Sequence, residues 1–535
     1  MLPLDPRFAS LRASPGATWA IPAEGEAVER GGRDRWATKI GLVLALAGNA
    51  IGLGNFLRFP GQAAANGGGA FMIPYFLSLV LIALPLLWAE CAIGRFGGRF
   101  GHGHTAGMFD RLWPHPISKY VGVLGVFIPF TIALYYIPIT SWCLAFSWFS
   151  ATGAYDGLTT RAEVSGFLKA FQGFAPNEHF SGPEALYLFY LLTLGFMLLV
   201  LAGGISRGIE RLAKVALPAL FALAVVLVIR VLTLDAPPGA GPDQSVAAGL
   251  GFVWNPRFEE LANAKVWLAA AGQVFFTISV GWGIIHTYTS YVRPDDDIAL
   301  TGLSMASLNE FAEVVLGGTI AITAAVVFFG VTATQEIATS TFDLGFNSMA
   351  VIFQELPLGN AIGALWFLLL FFAGLTSAVA ITQPMVALIQ EGFSLTRRRA
   401  VAITGLALFV LSQPVLLLQG MLDEIDFWAG TFCLLLFGFA EVLIFAWAFG
   451  MERGWEEITR GASIRVPTLV RTLLRWVTPV FLGLILLGFS IQSLPSVIGT
   501  GGTTIWLARG LMVALFVAIA AMARHALRRG AGEVS

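Results

Sequence analysis

Apolar runs of about twenty residues recur from residue 38 to residue 525, each about long enough to cross a hydrocarbon layer of roughly 30 Å as a helix. We therefore predict an all-α polytopic membrane protein with about twelve transmembrane helices. Charged residues make up only 12% of the chain, which excludes an ordinary soluble domain. The predicted spans lie near residues 38–64, 70–95, 118–148, 184–203, 211–234, 264–291, 299–330, 361–391, 400–417, 425–450, 473–494 and 503–525.

The positions of the basic residues predict the orientation. If the N-terminus is cytoplasmic, the loops on the opposite side hold mainly Arg161, Lys169, Arg257 and Lys265, and the inside segments hold most other Lys and Arg. The positive-inside rule then predicts a multi-pass protein of the cell (inner) membrane with both termini in the cytoplasm. The formal net charge of -1 gives no basic surface for nucleic acid. Residues 1–35 contain no stretch resembling a cleaved signal, so we expect a cytosolic tail.

Two predicted spans differ from the others because glycines and polar residues interrupt them, at 48–55 and at 277–283. Irregular backbone at membrane depth is tolerated only where it is buried in protein or lines a wet cavity. Each interrupted span begins a group of five, which predicts two inverted five-helix repeats whose broken helices 1 and 6 meet at the midplane. Close helix packing at the glycines is the alternative. The predicted divisions are a tail at 1–35, the first repeat at 36–234, an extracellular loop at 235–263, the second repeat at 264–450, and two additional helices with a cytosolic C-terminus at 451–535.

A broken helix offers free N–H groups at one new end and free C=O groups at the other, which suits a zwitterionic amino acid beside a cation. Sodium prefers oxygen ligands. Candidate oxygens within the spans belong to Asn49, Asn55, Thr277, Ser279, Asn309, Thr376 and Ser377. Any one of these residues taken alone is better explained by a helix-helix hydrogen bond.

Ionisable residues inside predicted spans are costly and need a reason. They are Glu90, Glu310, Glu313, Asp426 and Glu441. His102 and His104 form an HGH loop without further ligands in sequence, which argues against a metal site, and His286 is equally weak evidence for a proton relay. The three cysteines show no paired spacing, and no catalytic motif is evident, so we do not expect an enzyme.

Several segments carry a resemblance to a known family. Residues 35–75 read RWATKIGLVLALAGNAIGLGNFLRFPGQAAANGGGAFMIPY, and matching segments follow at 204–218, 272–283, 307–318, 371–385, 423–431 and 455–461. Together they resemble the neurotransmitter:sodium symporter family, specifically its bacterial leucine-transporter-like branch. The resemblance covers nearly all of the chain after residue 33. It implies sodium-coupled import of a small neutral amino acid by alternating access.

The resemblance also implies two sodium sites and one substrate site. The first sodium site would use Ala50, Asn55, Thr277 and Asn309 with the substrate carboxylate. The second would use Gly48, Ile51, Ala373, Thr376 and Ser377. The substrate would contact Ala50, Leu53, Gly54, Ile132, Tyr136, Phe276, Thr277, Ser279, Trp282, Ala378 and Ile381. Because this pocket lacks an acidic residue, we expect an apolar or small amino-acid side chain.

The gates follow from the same resemblance. The outer gate would be Arg58 with Asp426, near Gln273. The inner gate would be Arg33, Trp36, Ser290, Tyr291 and Glu391, where Glu391 replaces the family's more usual Asp. Glu313 stands where chloride-requiring relatives have a hydroxyl residue, so we predict chloride independence.

Trp282 and Ile132 are larger than the residues usual in leucine transporters and Ala378 is smaller, which favours alanine, glycine or valine over tryptophan. The alternatives are a non-transporting amino-acid-binding receptor or regulatory subunit of the same fold, a channel and a membrane enzyme. Intact sodium ligands and both gate pairs argue against the first of these. No obligate protein partner is evident from the sequence.

Overall fold

The computed structural model describes residues 34–339, 343–492, 494–499 and 501–532. The predicted tail, except for residues 34 and 35, and the predicted gate residue Arg33 therefore lie outside the described residues. Every regular element within the described ranges is helical. The all-α architecture expected from the apolar runs is confirmed.

The helices are numbered along the chain. They are α1 Lys39–Ala50, α2 Gly54–Ala65, α3 Gly69–Arg99, α4 Thr105–Leu112, α5 Ser118–Thr152, α6 Arg161–Phe171, α7 Glu184–Ala202, α8 Ile205–Leu232, α9 Val246–Trp254, α10 Ala264–Thr277, α11 Ile284–Thr289, α12 Ile298–Ile337, α13 Met349–Gln354, α14 Gly359–Gly392, α15 Arg397–Leu417, α16 Met421–Thr459, α17 Leu469–Ile491, α18 Leu494–Gly499 and α19 Thr503–Gly532. Ten of the helices are long and apolar enough to cross a membrane, and the bent pair α1 and α2 makes eleven. The remaining predicted span, 264–291, corresponds to the separated helices α10 and α11.

The first break separates α1 from α2, whose axes are bent by 46°. Helix α1 begins after Thr38, whose hydroxyl accepts the Gly41 N–H at 3.0 Å, and ends at Ala50. The chain then leaves helical geometry at Ile51 (φ -75°, ψ 82°). Because the backbone N–H groups of Gly52 and Leu53 have lost their helical acceptors, side chains accept hydrogen bonds from both.

The second break lies between α10 and α11. Ser279, Gly281 and Gly283 have φ values of 57°, 77° and 79°, a left-handed region in which glycine meets no Cβ penalty. At Gly283 an added Cβ would stand 2.0 Å from the carbonyl oxygen of Gly125 on α5. This close approach of two backbones explains why the unwound segment carries glycine there.

Helices α5 and α14 pack against each other in the protein interior and provide walls for both breaks. On the outside, α7, α8 and α17 expose large apolar side chains, including Leu188, Leu199, Val215 and Leu484. Exposed apolar surface on long apolar helices is expected where lipid replaces water as the solvent. The broken helices therefore lie in the interior with α5 and α14, and α7, α8 and α17 face outward.

Asp297 caps the start of α12 and joins it to the segment after α16. Its carboxylate accepts the Leu300 N–H at 2.8 Å and both the N–H and hydroxyl of Ser463, at 2.7 and 2.5 Å. Partial burial opposes ionisation, but the hydrogen bonds from Ser463 and from the backbone at the start of α12 together outweigh it and lower the pKa of Asp297. The carboxylate form is therefore the one that holds these two segments together.

We expect Asp297→Ala to lower the free energy of unfolding by about 1–2 kcal/mol, as is usual for a lost helix cap. Thermal unfolding in detergent measures this, with Asp295→Ala, on the exposed neighbouring loop, as the control. A carboxyl whose folded pKa is depressed stabilises the fold above its unfolded pKa, and that contribution is lost as pH falls through the folded pKa. The difference between wild type and Asp297→Ala should therefore shrink at acid pH; a constant difference would contradict the assignment.

Candidate functional site

Asn55 lies at the centre of a buried polar network at the first break. Its Oδ1 accepts the Gly52 N–H at 2.9 Å, which supplies one of the acceptors that the broken helix lacks. Its Nδ2 donates to Asn309 Oδ1 at 2.9 Å, and Asn309 Nδ2 donates to Thr277 Oγ1 at 3.0 Å. Three predicted ligands of the first sodium site, from α2, α10 and α12, are thereby brought together.

Glu313 on α12 is the one carboxylate in this network that is fully buried. It accepts hydrogen bonds from Gln273 Nε2 at 2.7 Å, from Asn55 Nδ2 at 3.3 Å and from the hydroxyl of Thr277. Four donors in all converge on it, because Asn309 Nδ2 also lies 3.4 Å away. The site therefore has a buried carboxyl group beside its amide and hydroxyl oxygens.

The second predicted sodium set lies where α14 passes the end of α1. The Ser377 hydroxyl lies 2.9 Å from the Asn49 carbonyl oxygen, 3.4 Å from that of Gly48 and 3.2 Å from that of Ala373. The Thr376 hydroxyl lies 3.1 Å from the Ala373 carbonyl oxygen. Hydroxyl and carbonyl oxygens from the two helices thus converge, and this arrangement suits a hard cation.

A pocket opens between the two breaks. It is lined by Asn49, Ala50, Gly52, Gly54, Asn55, Tyr136, Phe276, Thr277, Ser279, Trp282, Ser377 and Ile381. Of the predicted substrate residues, Leu53, Ile132 and Ala378 are not part of this lining. The Leu53 N–H instead donates to the Tyr136 hydroxyl at 3.0 Å, which fixes that tyrosine at the pocket wall.

The pocket also includes two residues, Asn49 and Gly52, that the resemblance assigned neither to the substrate nor to a sodium ion. Within the described part of the chain, both amide atoms of Asn49 and the Trp282 Nε1 are buried without a hydrogen-bond partner. Buried polar groups are usually satisfied, so unpaired ones at a pocket are available to a ligand. In the sequence, the position of Asn49 within the glycine-rich break at 48–55 was the feature that could have indicated its place in the pocket.

The predicted outer gate residues lie above this pocket with other partners. The guanidinium of Arg58 stacks on the Phe276 ring, 4.1 Å from its centroid, and Phe276 packs against Trp282 with ring centroids 5.3 Å apart. Asp426 accepts the Tyr135 hydroxyl at 2.5 Å. Over the described ranges, Arg58 and Asp426 are not within ion-pair distance of each other. Gln273 points to Glu313.

The predicted inner gate residues lie at the other end of the second break. Trp36 Nε1 donates to the Tyr288 carbonyl oxygen at 2.8 Å. Glu391 accepts the Gly103 N–H at 2.6 Å and lies 3.4 Å from His104 Nε2, so the HGH loop meets the gate carboxylate. Tyr291 accepts from Gln383 at 3.2 Å, and the Ser290 hydroxyl donates to the Thr287 carbonyl oxygen at 2.7 Å. These contacts join α11 and the residues after it to α14 and to the segment before α1.

Comparison with known proteins places this geometry in a family. The sodium:neurotransmitter symporter family model matches residues 33–160 and 167–527. An uncharacterized sodium-dependent transporter of Methanocaldococcus jannaschii is 30% identical over 84% of this chain and 89% of its own length, and another of Bacillus subtilis is 30% identical over 74% and 82%. The crystal structure of MhsT in complex with L-phenylalanine superposes with a TM-score of 0.71 at 28% identity, covering 85% of this chain and 99% of that one. The chain belongs to the sodium:neurotransmitter symporter family, a family of secondary transporters.

Proposed function

We propose that this chain is a sodium-coupled symporter that imports a small neutral amino acid by alternating access, without a requirement for chloride. The observation that carries the proposal is the pocket between two broken helices, bordered by two groups of converging oxygens. A substrate bound there touches both repeats at once. Movement of one repeat against the other then changes which side of the membrane the pocket faces.

Two sodium ions are part of the proposal. The first would be held by Ala50, Asn55, Thr277 and Asn309, with the substrate carboxylate as a shared ligand. The second would be held by Gly48, Ile51, Ala373, Thr376 and Ser377. A ligand shared between ion and substrate makes each strengthen binding of the other, which is the thermodynamic content of coupling. The hydroxyl of Ser377, now beside carbonyl oxygens of both helices, would turn its lone pairs to the ion.

The amino-acid backbone fits the polarity of the breaks. The positive end of the helix dipole at the start of α2 favours a carboxylate, and the negative ends of α1 and α10 favour an ammonium group. The amino-acid side chain would face Tyr136, Phe276, Trp282 and Ile381, a wall without an acidic residue. That MhsT was solved with L-phenylalanine supports an amino acid as the class of substrate.

Uptake into proteoliposomes tests the proposal. A panel of radiolabelled amino acids is supplied with an inward sodium gradient, and with potassium in place of sodium, both free of chloride. Accumulation of a neutral amino acid only with sodium is expected. Binding without uptake would favour the receptor alternative, and a strict chloride requirement would overturn the proposed chloride independence.

We also propose that the protein lies in the cell membrane with both termini in the cytoplasm. Protease accessibility of the termini in intact cells tests this orientation.

Trp282 is the residue that we expect to limit substrate size. Its indole lines the pocket and packs edge-on against Phe276. Trp282→Phe removes part of that ring, and we expect the ratio of kcat/KM for leucine to that for alanine to rise about tenfold, within the roughly 1–3 kcal/mol that pocket size controls. Competition uptake assays measure the ratio. Trp148→Phe, at an exposed position, is the control, and an unchanged ratio in Trp282→Phe would refute this role.

A further inference from the structure

Three ionisable side chains that the proposed transport site does not use meet behind the second break. They are Glu90 on α3, His286 on α11 and Glu441 on α16, and none of the three has any exposed surface. His286 Nδ1 lies 3.4 Å from Glu90 Oε2, and His286 Nε2 lies 3.4 Å from Glu441 Oε2. The imidazole therefore presents one nitrogen to each carboxyl group. We refer to these residues as the buried triad.

The surroundings of the buried triad are apolar. The rings of Phe109 and Phe437 lie with centroids 6.1 and 6.0 Å from that of His286. Outside the triad, and among the described residues, no hydrogen-bond partner reaches either His286 nitrogen or either Glu441 carboxyl oxygen. The triad thus has unused hydrogen-bonding capacity in a place that water does not reach in this conformation.

The helices around the triad carry other charged or titratable side chains. On α3, Cys91 adjoins Glu90, and Arg95 is bound to Glu457 at 2.8 Å. On α11, the Tyr288 ring packs against Trp36. On α4, Asp110 is half-buried and Arg111 is exposed. No described Lys or Arg forms an ion pair with a member of the triad.

Charge balance then determines what the triad binds. With both carboxyls ionised and the imidazole neutral, the net charge is -2, and buried charge without a counter-ion costs several kcal/mol per ion. Two bound protons make the triad neutral. A divalent metal ion would use only one imidazole nitrogen, whereas protons use both nitrogens that face carboxyl groups here. The arrangement therefore fits protons better than a metal ion.

The buried triad is joined directly to the unwound segment. Glu90 Oε1 accepts the N–H of Gly281 at 2.5 Å, and Gly281 is in the left-handed region with φ 77°. The next residue, Trp282, lines the substrate pocket. One hydrogen bond and one residue thus separate Glu90 from the pocket. An ionised Glu90 would hold Gly281 more strongly than a protonated one, because charge-assisted hydrogen bonds are about twice as strong.

We propose that Glu90, His286 and Glu441 form a proton-binding site, and that sodium binding in the transport site releases a proton from it. The arrangement of Gly281 seen here is the one that an ionised Glu90 stabilises, and added positive charge from sodium in the same buried region favours loss of a proton. Sodium affinity consequently rises with pH. The coupling rests on the proposed sodium transport, whereas the existence of the proton site does not.

Two measurements on the full-length protein test the proposal. The first is infrared difference spectroscopy between mildly acidic and mildly alkaline pH. The wild type should show the C=O stretch of a buried protonated carboxyl group, which Glu441→Gln removes or shifts and Glu452→Gln, at the protein surface, leaves in place. This measurement needs neither substrate nor transport. The absence of any difference between wild type and Glu441→Gln would overturn the proton site.

The second measurement is binding of radiolabelled sodium alone as a function of pH. For release of one proton, the apparent sodium affinity of the wild type should rise by up to about tenfold per pH unit. His286→Gln and Glu441→Gln should reduce this pH dependence to less than about twofold per pH unit, while Glu452→Gln follows the wild type.

A full pH dependence in both triad variants would place the proton elsewhere, at Glu313 for example, and overturn the coupling. If the wild type binds no sodium, the proposed function fails, and the infrared result still decides whether the triad holds a proton. His286→Gln keeps both carboxyl groups and carries the test if Glu441→Gln does not fold.

Discussion

Replacement of Asn55 by alanine is expected to abolish sodium-dependent amino-acid binding and leave the protein folded. The substitution removes a proposed sodium ligand, it leaves Asn309 Oδ1 without its donor, and it removes one of the two acceptors of the Gly52 N–H. Each buried group left unpaired costs about 1–3 kcal/mol, so we expect sodium affinity to fall by about 100-fold or more. The cavity created is small, and the apolar packing of α1 and α2 is not altered.

Scintillation proximity binding of radiolabelled sodium, with size-exclusion chromatography as the test of folding, measures this effect. Asn66→Ala is a matched control, because Asn66 is a half-buried residue just after α2 whose side chain donates to the nearby Gln62 carbonyl oxygen. The control should bind sodium like the wild type. Sodium dependence that persists in Asn55→Ala would show that the first site is formed by other residues.

Much of the architecture could be predicted from the sequence because spans and helix breaks are each indicated by residues that are neighbours in the chain. Apolar runs give the spans, and glycine beside Asn or Thr within a span gives a break. The breaks at 51–53 and 278–283 lie within the two interruptions predicted at 48–55 and 277–283. The sequence predicts about twelve spans, whereas ten helices, or eleven with the bent pair, are long enough to cross a membrane. The difference arises at 264–291, because six residues that are not helical separate α10 from α11 and neither helix is long enough to span alone.

Contacts between distant side chains could not be predicted in the same way. The sequence marked Glu90, Glu441 and Asp426 as intramembrane carboxyl groups that require an explanation, but the partners are 155 to 291 residues away in the chain. His286 was weak evidence for a proton relay because the sequence shows no partner for it. Only the packing of α3, α11 and α16 places a carboxyl group at each of its nitrogens.

The partners of the outer gate residues could not be predicted for a different reason. A resemblance carries over pairs of residues, but the partner that each residue contacts depends on the conformation of the protein. In the conformation described here, Arg58 lies over Phe276 and Asp426 accepts from Tyr135. A gate that opens and closes during transport must exchange such partners. Assignment of Arg58 and Asp426 as a gate pair therefore remains a prediction.

Glu313→Ser is expected to make transport depend on chloride. Glu313 is buried and accepts hydrogen bonds from Gln273, Asn55 and Asn309, at 2.7, 3.3 and 3.4 Å. A sodium ion beside these residues needs a compensating negative charge, because a buried cation without one costs several kcal/mol. Serine removes that charge and leaves space for a small anion surrounded by the same donors.

In proteoliposomes free of chloride, sodium-driven uptake by Glu313→Ser should fall at least about tenfold, as expected for the loss of 1.4 kcal/mol or more of stabilisation. Added chloride should restore uptake in this variant and change nothing in the wild type, whereas gluconate should not restore it. Glu313→Asp keeps the charge and is the matched control, so its uptake should remain independent of chloride. Equal uptake by Glu313→Ser with and without chloride would mean that the charge of Glu313 is not what compensates sodium. The compensating charge would then have to come from the substrate carboxylate alone, since it is the other anionic group assigned to the first sodium site.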